Sequence, residues 1–514
     1  MAQLPNLEER TLLRSFERAL DFAPDKVALA DRDASSTYAQ AFQRSLSLAR
    51  GLARLGCRPG SPAGLMLDNS LDFVHAWLGM GLTGTVEVPV NTAYKGDFLA
   101  HILRDSGVET LLVEAHYLDR VEAIADQVPS LKNVVVRGAF EGKSPAGLNL
   151  VAWGEVEGSA PATPVRRDPS DLFAFMYTSG TTGLSKGVLI PEAQAYTYAS
   201  REDQDLPTHQ DRILVALPLF HLAGQWYGVY QSLIHRASCV VEPGFSPSVY
   251  WDVVRRQGIT VTVMLGAMAE MLQQQPAGPE DLDNPLRLAV MAPLASDFGA
   301  FERRFGLKVA AVYGMSEIGA VMNGPPGTVV GGEAGFARDG YELRLVGADG
   351  HDAPDGEVGE LWVRPMVPHT VMAGYHNLPE ATAAATQGGV DPYGRRLPAR
   401  CPRALLLHRP HEGRPAQARG ERLELRGGKG SEFPPVGPGE RGGGRSLGAG
   451  RRRDQGGDRV EARLRRRSGR DHRAPDRAPS LFHGPSLHRL RAGVAQDADP
   501  EGAEEPTAQP GRCR

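Results

Sequence analysis

Residues 176–190 read "MYTSGTTGLSKGVLI". An apolar run, "DLFAFM", leads into a polar, glycine-rich loop, and "GVLI" leaves it. Glycines let backbone N–H groups come close to an anion. Ser179, Thr181 and Thr182 add hydroxyl donors, and Lys186 adds a positive charge. The stretch therefore has the composition of a phosphate-holding loop between two strands. It is not the P-loop NTPase pattern, which needs Gly-Lys-Ser/Thr after its first glycine and four intervening residues. Here Ser185-Lys186-Gly187 stands in that place. A solvated hairpin turn is the competing reading.

Outward from the loop, helical and strand patterns alternate. "AQAFQRSLSLARGLARLG" has helical apolar spacing, and "PAGLML" follows as a short strand. The pairing recurs at "LDFVHAWLGMGLTG" with "TVEVPVN", at "GDFLAHILRDSG" with "VETLLVE", and at "PSVYWDVVRRQG" with "ITVTVML". Repeated helix–Gly–strand units predict an α/β protein whose sheets are largely parallel and flanked by helices. From residue 331 the pattern changes to short strands and tight turns ("YELRLV", "DGHDAPDG", "EVGELWVRP"), which predicts a small β-rich subdomain over 331–389 after α/β subdomains over 1–330.

The apolar run from Phe73 to Val90 is broken by His75, Thr83, Thr85 and Glu87, so it reads as a buried helix running into a strand rather than a membrane span. The N-terminus lacks a basic-then-apolar signal pattern, and four scattered cysteines show no metal-ligand spacing. A cytoplasmic protein without structural zinc is expected. Residues 1–389 carry a net charge of −15 and residues 390–514 one of +11. The tail holds 26 Arg but one Lys, and three aromatics. By composition it reads as disordered. Its arginines show neither aromatic interleaving nor an amphipathic stripe, so no nucleic-acid or membrane partner is expected.

The loop and several further motifs, taken in order, resemble the adenylate-forming (AMP-binding) enzymes. "GTVEVPVN" begins the series. "LPLFHLAGQ" (217–225) is similar to that family's acyl-pocket segment, "AVMAPL" (289–294) to its adenine-side strand and turn, and "VYGMSEIG" (312–319) to its aromatic-Gly-x-Thr-Glu motif. "GEVGELWVRP" and "MAGYHNLPEAT" resemble the segments before its hinge. The resemblance spans roughly residues 10–389 and is nearest to bacterial CoA ligases of the fatty-acid and carnitine/crotonobetaine kind. It implies an ATP-dependent carboxylate–CoA ligase that uses ATP, Mg²⁺ and coenzyme A. Thr178, Ser179, Gly180, Thr181, Thr182, Gly183 and Lys186 would hold the β- and γ-phosphates. Ala292, Pro293, Tyr313 and Gly314 would hold adenine. Ser316, where the family usually has Thr, would reach the α-phosphate, and Glu317 would be the Mg²⁺ ligand. His221, Trp226 and Gly266 would line the pocket of a small-molecule carboxylic acid. Core packing is the competing reading of His221 and Tyr313. The acid and the oligomeric state stay open. Loading of a carrier-protein thiol, or non-catalytic nucleotide binding, are the alternative functions.

The family's later landmarks are missing from residues 390–514. Four of them can be recovered by a choice of codons when the tail is read one base out of frame. "VDPYGR" (390–395) then permits Trp-Ile-His-Thr-Gly-Asp, and "HRPHEG" (408–413) permits Ile-Asp-Arg-Met-Lys-Asp. "ARGERLE" (418–424) permits the Gly-Glu-Asn segment, and "AQDADPEGAEEP" (495–506) the terminal lysine motif. All four need the same shift and arrive in family order. The expectation is an out-of-frame tail that replaces the small C-terminal domain, with the shift near Gly388–Gly389.

Overall fold

The computed structural model describes residues 4–141, 144, 147–158, 160–178, 184–202, 206–329, 334–347, 351 and 360–386, and the backbone of 399–400. The helix–strand units expected from the sequence are present. Helix Tyr38–Arg54 precedes strand Pro62–Met66, and helix Leu71–Thr83 precedes strand Val86–Pro89. Helix Asp97–Ser106 precedes strand Thr110–Glu114, and helix Tyr250–Gln257 precedes strand Val261–Met264. The first of these helices is closed by a capping box, in which the Thr37 side chain accepts from Gln40 N and the Gln40 side chain accepts from Thr37 N.

Two large sheets organise the strands. The eight-stranded sheet runs Gly374–Tyr375, Lys186–Pro191, Leu172–Thr178, Val86–Pro89, Pro62–Met66, Thr110–Glu114, Asn133–Arg137, Asn149–Ala152. From Leu172–Thr178 to the last strand every neighbouring pair is parallel. Lys186–Pro191 pairs antiparallel with Leu172–Thr178, with Thr178 opposite Lys186. The glycine-rich stretch is thus the connection of a hairpin. The nine-stranded sheet runs Phe336–Ala337, Gly319–Gly324, Lys308–Met315, Leu288–Met291, Val261–Met264, Arg212–Val215, Ser238–Val241, Val27–Ala30, Ser35–Thr37. Its six inner strands, from Lys308–Met315 to Val27–Ala30, are mutually parallel.

The region after residue 331 is not one self-contained subdomain. Tyr341–Val346, Glu360–Pro365 and Ala399–Arg400 form a separate three-stranded sheet. Phe336–Ala337 instead pairs with the edge of the nine-stranded sheet, and Gly374–Tyr375 with the edge of the eight-stranded one. A strand edge with unpaired N–H and C=O groups recruits any segment that reaches it, and local sequence pattern does not reveal which edge that is. Apart from the Ala399–Arg400 pairing, the residues assigned to the out-of-frame tail lie outside the described residues.

Parallel sheets bury both faces, so their strands need apolar cover on each side. One core cluster takes residues from both large sheets: Leu65, Ala174 and Met176 from one, Leu29, Val215 and Val241 from the other. Between them lie Trp77, Phe173, Trp226 and Tyr230, each at most 2% exposed. Trp77 meets Phe173 edge-on at 6.2 Å, Phe173 and Trp226 are tilted at 5.9 Å, and Phe173 stacks on Tyr230 at 6.2 Å.

One polar pair interrupts this core. Val86 and Val88 face an apolar cluster with Leu99 and Leu103, so alternation turns Glu87 to the other side. There Gln225 Nε2 donates to Glu87 Oε1. Glu87 Oε2 and Gln225 Oε1 have no other partner among the described residues. Burial without a neighbouring cation favours the neutral acid and pushes the Glu87 pKa up to about 8.

Two predictions follow from packing and from this buried acid. A Cβ on Gly79 would lie 2.2 Å from the Ser45 carbonyl oxygen of the crossing helix, whereas one on Gly154 meets nothing within 4 Å. Gly79→Ala should therefore cost about 2 kcal/mol in denaturant unfolding, while Gly154→Ala should be neutral or gain up to about 1 kcal/mol of helix propensity. For Glu87 the folded-state pKa is raised, so the folded chain keeps a proton that the unfolded chain releases above about pH 4.5. The resulting stability is greatest at the acid end and declines as pH rises towards about 8, by at most about 1.4 kcal/mol per pH unit. The Glu192 pKa, also pushed up to about 8 by burial, acts in the same direction. Melting curves from pH 6.5 to 8 should show Glu87→Gln gaining on the wild type as pH rises; parallel curves would rule out a protonated Glu87.

Candidate active site

In parallel α/β sheets, ligands bind outside the carboxyl ends of the strands. Four neighbouring strands of the nine-stranded sheet place the sequence candidates there. His221 follows Arg212–Val215, Gly266 follows Val261–Met264, and Ala292 and Pro293 follow Leu288–Met291. Tyr313 and Gly314 end Lys308–Met315, and Ser316 and Glu317 turn the chain back into Gly319–Gly324. Residues separated by nearly a hundred positions thus share one edge. Gly266 N–H donates to Pro293 O at 3.0 Å. A side chain at Gly266 would meet the backbone of Leu294 and Ala295 at 2.7 Å, so this glycine lets helix Gly266–Gln273 seat against the turn after Leu288–Met291. At Gly314 the pairing register shifts, and a Cβ would lie 2.3 Å from Gly319 O. Tyr313 is half-buried and packs against the cluster of Ile318, Val321 and Met322.

The strands that flank the glycine-rich stretch belong to the other sheet. Ser179, Gly180, Thr181, Thr182 and Gly183 lie outside the described residues, but both feet of their loop are held. On one side the Tyr177 hydroxyl donates to Asp105 Oδ2 at 2.7 Å. Burial and that carboxylate raise its pKa, so it stays a donor. On the other, the His101 ring meets Ser185 O at 2.8 Å. Helix Asp97–Ser106 therefore clamps the base of the hairpin. Its Asp105 carbonyl also meets His376 Nε2 at 3.0 Å.

Lys186 and Glu317 come from different sheets and converge on Tyr375. The Lys186 ammonium lies 4.9 Å from the centre of the Tyr375 ring. The Tyr375 hydroxyl donates to Glu317 Oε1 at 3.0 Å. Glu317 is nearly buried, at 9% exposed, and Met372 N–H holds its backbone oxygen at 2.9 Å. Gln194 Nε2 donates to Ser316 O at 2.7 Å, fixing the turn from below. Among the described residues no group of three His, Cys, Asp or Glu could hold a metal alone. A single carboxylate suits Mg²⁺ that arrives on nucleotide phosphates, because that ion keeps water and phosphate oxygens as its other ligands.

At the turn before His221, Asn69 does what the sequence did not signal. Its Nδ2 donates to Leu217 O at 2.9 Å and Glu242 O at 3.1 Å, and its Oδ1 accepts from Leu219 N at 2.8 Å. One side chain from the eight-stranded half thus pins the turn that presents His221. The His221 ring is exposed on one side and packs against Phe220 on another, with centroids 4.8 Å apart. The protein wall displaces enough water to hold its pKa below the usual histidine range. Trp226 is fully buried, its ring between Phe173 and Tyr198. Sequence reading also passed over Tyr375 as a site residue, although it stands in the quoted "MAGYHNLPEAT" stretch. Asp105 and Gln194 carried no motif signal.

No described helix is long and apolar enough to cross a membrane. Crotonobetaine/carnitine–CoA ligases of Salmonella paratyphi C and Salmonella typhi are each 29% identical to this chain over 353 residues, covering 65% of it and 66% of their own length. The chain thus spans just under two thirds of these relatives. Among solved structures, the anthranilate CoA ligase AuaEII in complex with anthranoyl-AMP superposes with a TM-score of 0.67 at 24% identity, over 76% of this chain and 78% of that one. The putative long-chain-fatty-acid CoA ligase of Rhodopseudomonas palustris gives 0.67 at 23% identity, over 76% and 98%. The N-terminal domain of FACL13 from Mycobacterium tuberculosis gives 0.64 at 23%, over 76% and 95%. These likenesses are of fold. Residues 16–376 match the AMP-binding enzyme family, and the chain belongs to that family.

Proposed function

We propose that this protein is the large domain of an AMP-forming carboxylate–CoA ligase, acting in the cytoplasm on a small carboxylic acid. The observation that carries the reading is the meeting of Lys186 and Glu317, from two sheets, beside the strand ends that hold Ala292, Pro293, Tyr313 and Ser316. The Salmonella relatives, which are crotonobetaine/carnitine–CoA ligases, agree with it.

In this reading a substrate carboxylate oxygen bonds to the α-phosphorus of ATP, and the bond from that phosphorus to the bridging oxygen breaks. Acyl-adenylate and pyrophosphate result. The thiol of coenzyme A then attacks the acyl carbon and AMP leaves. The first step brings two anions together, so positioning and charge neutralisation dominate it. Thr178 and Lys186 sit at the feet of the phosphate hairpin, with Ser179–Gly183 supplying its loop. Tyr313, Gly314, Ala292 and Pro293 form the adenine side, and the Ser316 hydroxyl serves the α-phosphate. Magnesium bound with the nucleotide, and ligated by Glu317, would neutralise phosphate charge. His221 and the turn held by Asn69 flank the entering acid, with Gly266 and Trp226 behind them.

The family match ends at residue 376, and the tail carries family landmarks only in a neighbouring frame. The 514-residue chain should therefore bind MgATP but fail to complete thioester formation, whereas a frame-corrected gene product should turn over. Pyrophosphate release and CoA-thioester formation, assayed across a carboxylate panel with and without coenzyme A, check this. Full thioesterification by the uncorrected chain would refute the tail reading, and no pyrophosphate release from the corrected one would refute the ligase reading. In the corrected protein, Asn69→Ala should release the 217–219 turn and raise KM for the acid about tenfold, with KM for ATP near the wild-type value. Each lost hydrogen bond is worth about 1 kcal/mol. Equal changes in both constants would assign Asn69 a general structural role.

A further inference from the structure

The geometry points to Tyr375 as a positioning residue for nucleotide binding, one that keeps Lys186 and Glu317 apart while aiming both at the same phosphate site. The inference rests on the ligase reading above and adds a residue to it.

Lys186 and Glu317 are opposite charges beside the same tyrosine, yet no ion pair joins them among the described residues. Tyr375 stands between. Its ring face receives the ammonium at 4.9 Å, and its hydroxyl donates to one oxygen of the carboxylate at 3.0 Å. A π-face attracts a cation without neutralising it. A phenol proton orients a carboxylate and leaves it negative, with its second oxygen open to a hard cation. A direct Lys186–Glu317 pair would satisfy both groups, and an incoming nucleotide would first have to break it. The tyrosine holds both charges available instead.

The ring is fixed from its own backbone. Gly374 and Tyr375 pair with Leu189 and Val188, three and two residues beyond Lys186. Ala373 N–H and His376 N–H donate to Leu189 O and Gly187 O, each at 2.7 Å. Tyr375 N–H donates to Thr382 Oγ1 at 2.8 Å, and that hydroxyl donates to Leu378 O at 2.9 Å. A side chain at Gly374 would lie 2.9 Å from Thr382 Cγ2, so the short helix Pro379–Ala385 packs directly on the strand. Met372 N–H, on the same segment, holds the Glu317 carbonyl. Five residues thus tie the phosphate hairpin of one sheet to the carboxylate turn of the other.

Two variants separate the roles of hydroxyl and ring. Tyr375→Phe keeps the spacer and the cation–π face but frees the carboxylate. Tyr375→Leu removes both and lets Lys186 approach Glu317. Isothermal titration of ATP into the full 514-residue chain, with Mg²⁺ and with EDTA, reads the outcome. For Tyr375→Phe we expect MgATP affinity to fall about tenfold, the low end of the scale of one hydrogen bond to a charged group, with metal-free ATP affinity unchanged. For Tyr375→Leu both affinities should fall. Melting curves establish that each variant is folded, and if the leucine variant is not, the phenylalanine variant decides alone. A folded Tyr375→Phe with wild-type magnesium dependence overturns the inference, as does equal loss with and without Mg²⁺. If the wild-type chain itself binds no MgATP, the ligase reading of the site falls first; if it binds and the variants match it, only the role of Tyr375 falls.

Discussion

The two large sheets are held by one apolar core, and every feature of the site depends on that shared packing. Trp77, Phe173, Trp226 and Tyr230 are buried in the cluster that takes residues from both. Burying a side chain of this size contributes about 2–3 kcal/mol, so sliding one sheet over the other would sacrifice several such contributions at once. The sheets therefore act as one block. The hairpin of one sheet and a row of strand ends of the other are thereby held in a fixed relation.

Polar contacts across that block set the fine geometry. Asn69 leaves the eight-stranded half to hold the 217–219 turn of the other. Gln194, on the helix after the phosphate hairpin, holds Ser316. Tyr375 reaches Glu317 from a strand paired beside Lys186. Each is a side-chain hydrogen bond to a group on the other half. Apolar burial brings the halves together without direction, and these bonds supply the direction.

Much of the fold was legible in the sequence because parallel α/β units carry local signals. Apolar spacing marked the helices, glycines marked their ends, and short β-branched runs marked the strands. The strand–loop–strand reading of residues 172–190 matches the antiparallel hairpin. What local signals could not show is strand order. Val27–Ala30 and Ser35–Thr37 join the nine-stranded sheet although the strands next along the chain build the other one, and residues 331–389 divide among three sheets. Period and composition reveal that a segment is a strand, but partner choice depends on which edge it reaches after the core has packed.

The sequence by itself determined the family, through ordered motifs from "GTVEVPVN" to "MAGYHNLPEAT", and with it the candidate residues Lys186, Tyr313, Ser316, Glu317 and His221. It also located the composition break at residue 390. Only the tertiary structure decided how those residues meet. Glu317 and Lys186 are over a hundred positions apart, and the tyrosine between them comes from a third place in the chain. The reason is physical: a motif records which groups a reaction needs, whereas the spacing between groups is set by strand pairing and by side chains such as Tyr375 and Asn69, whose partners lie far away in sequence.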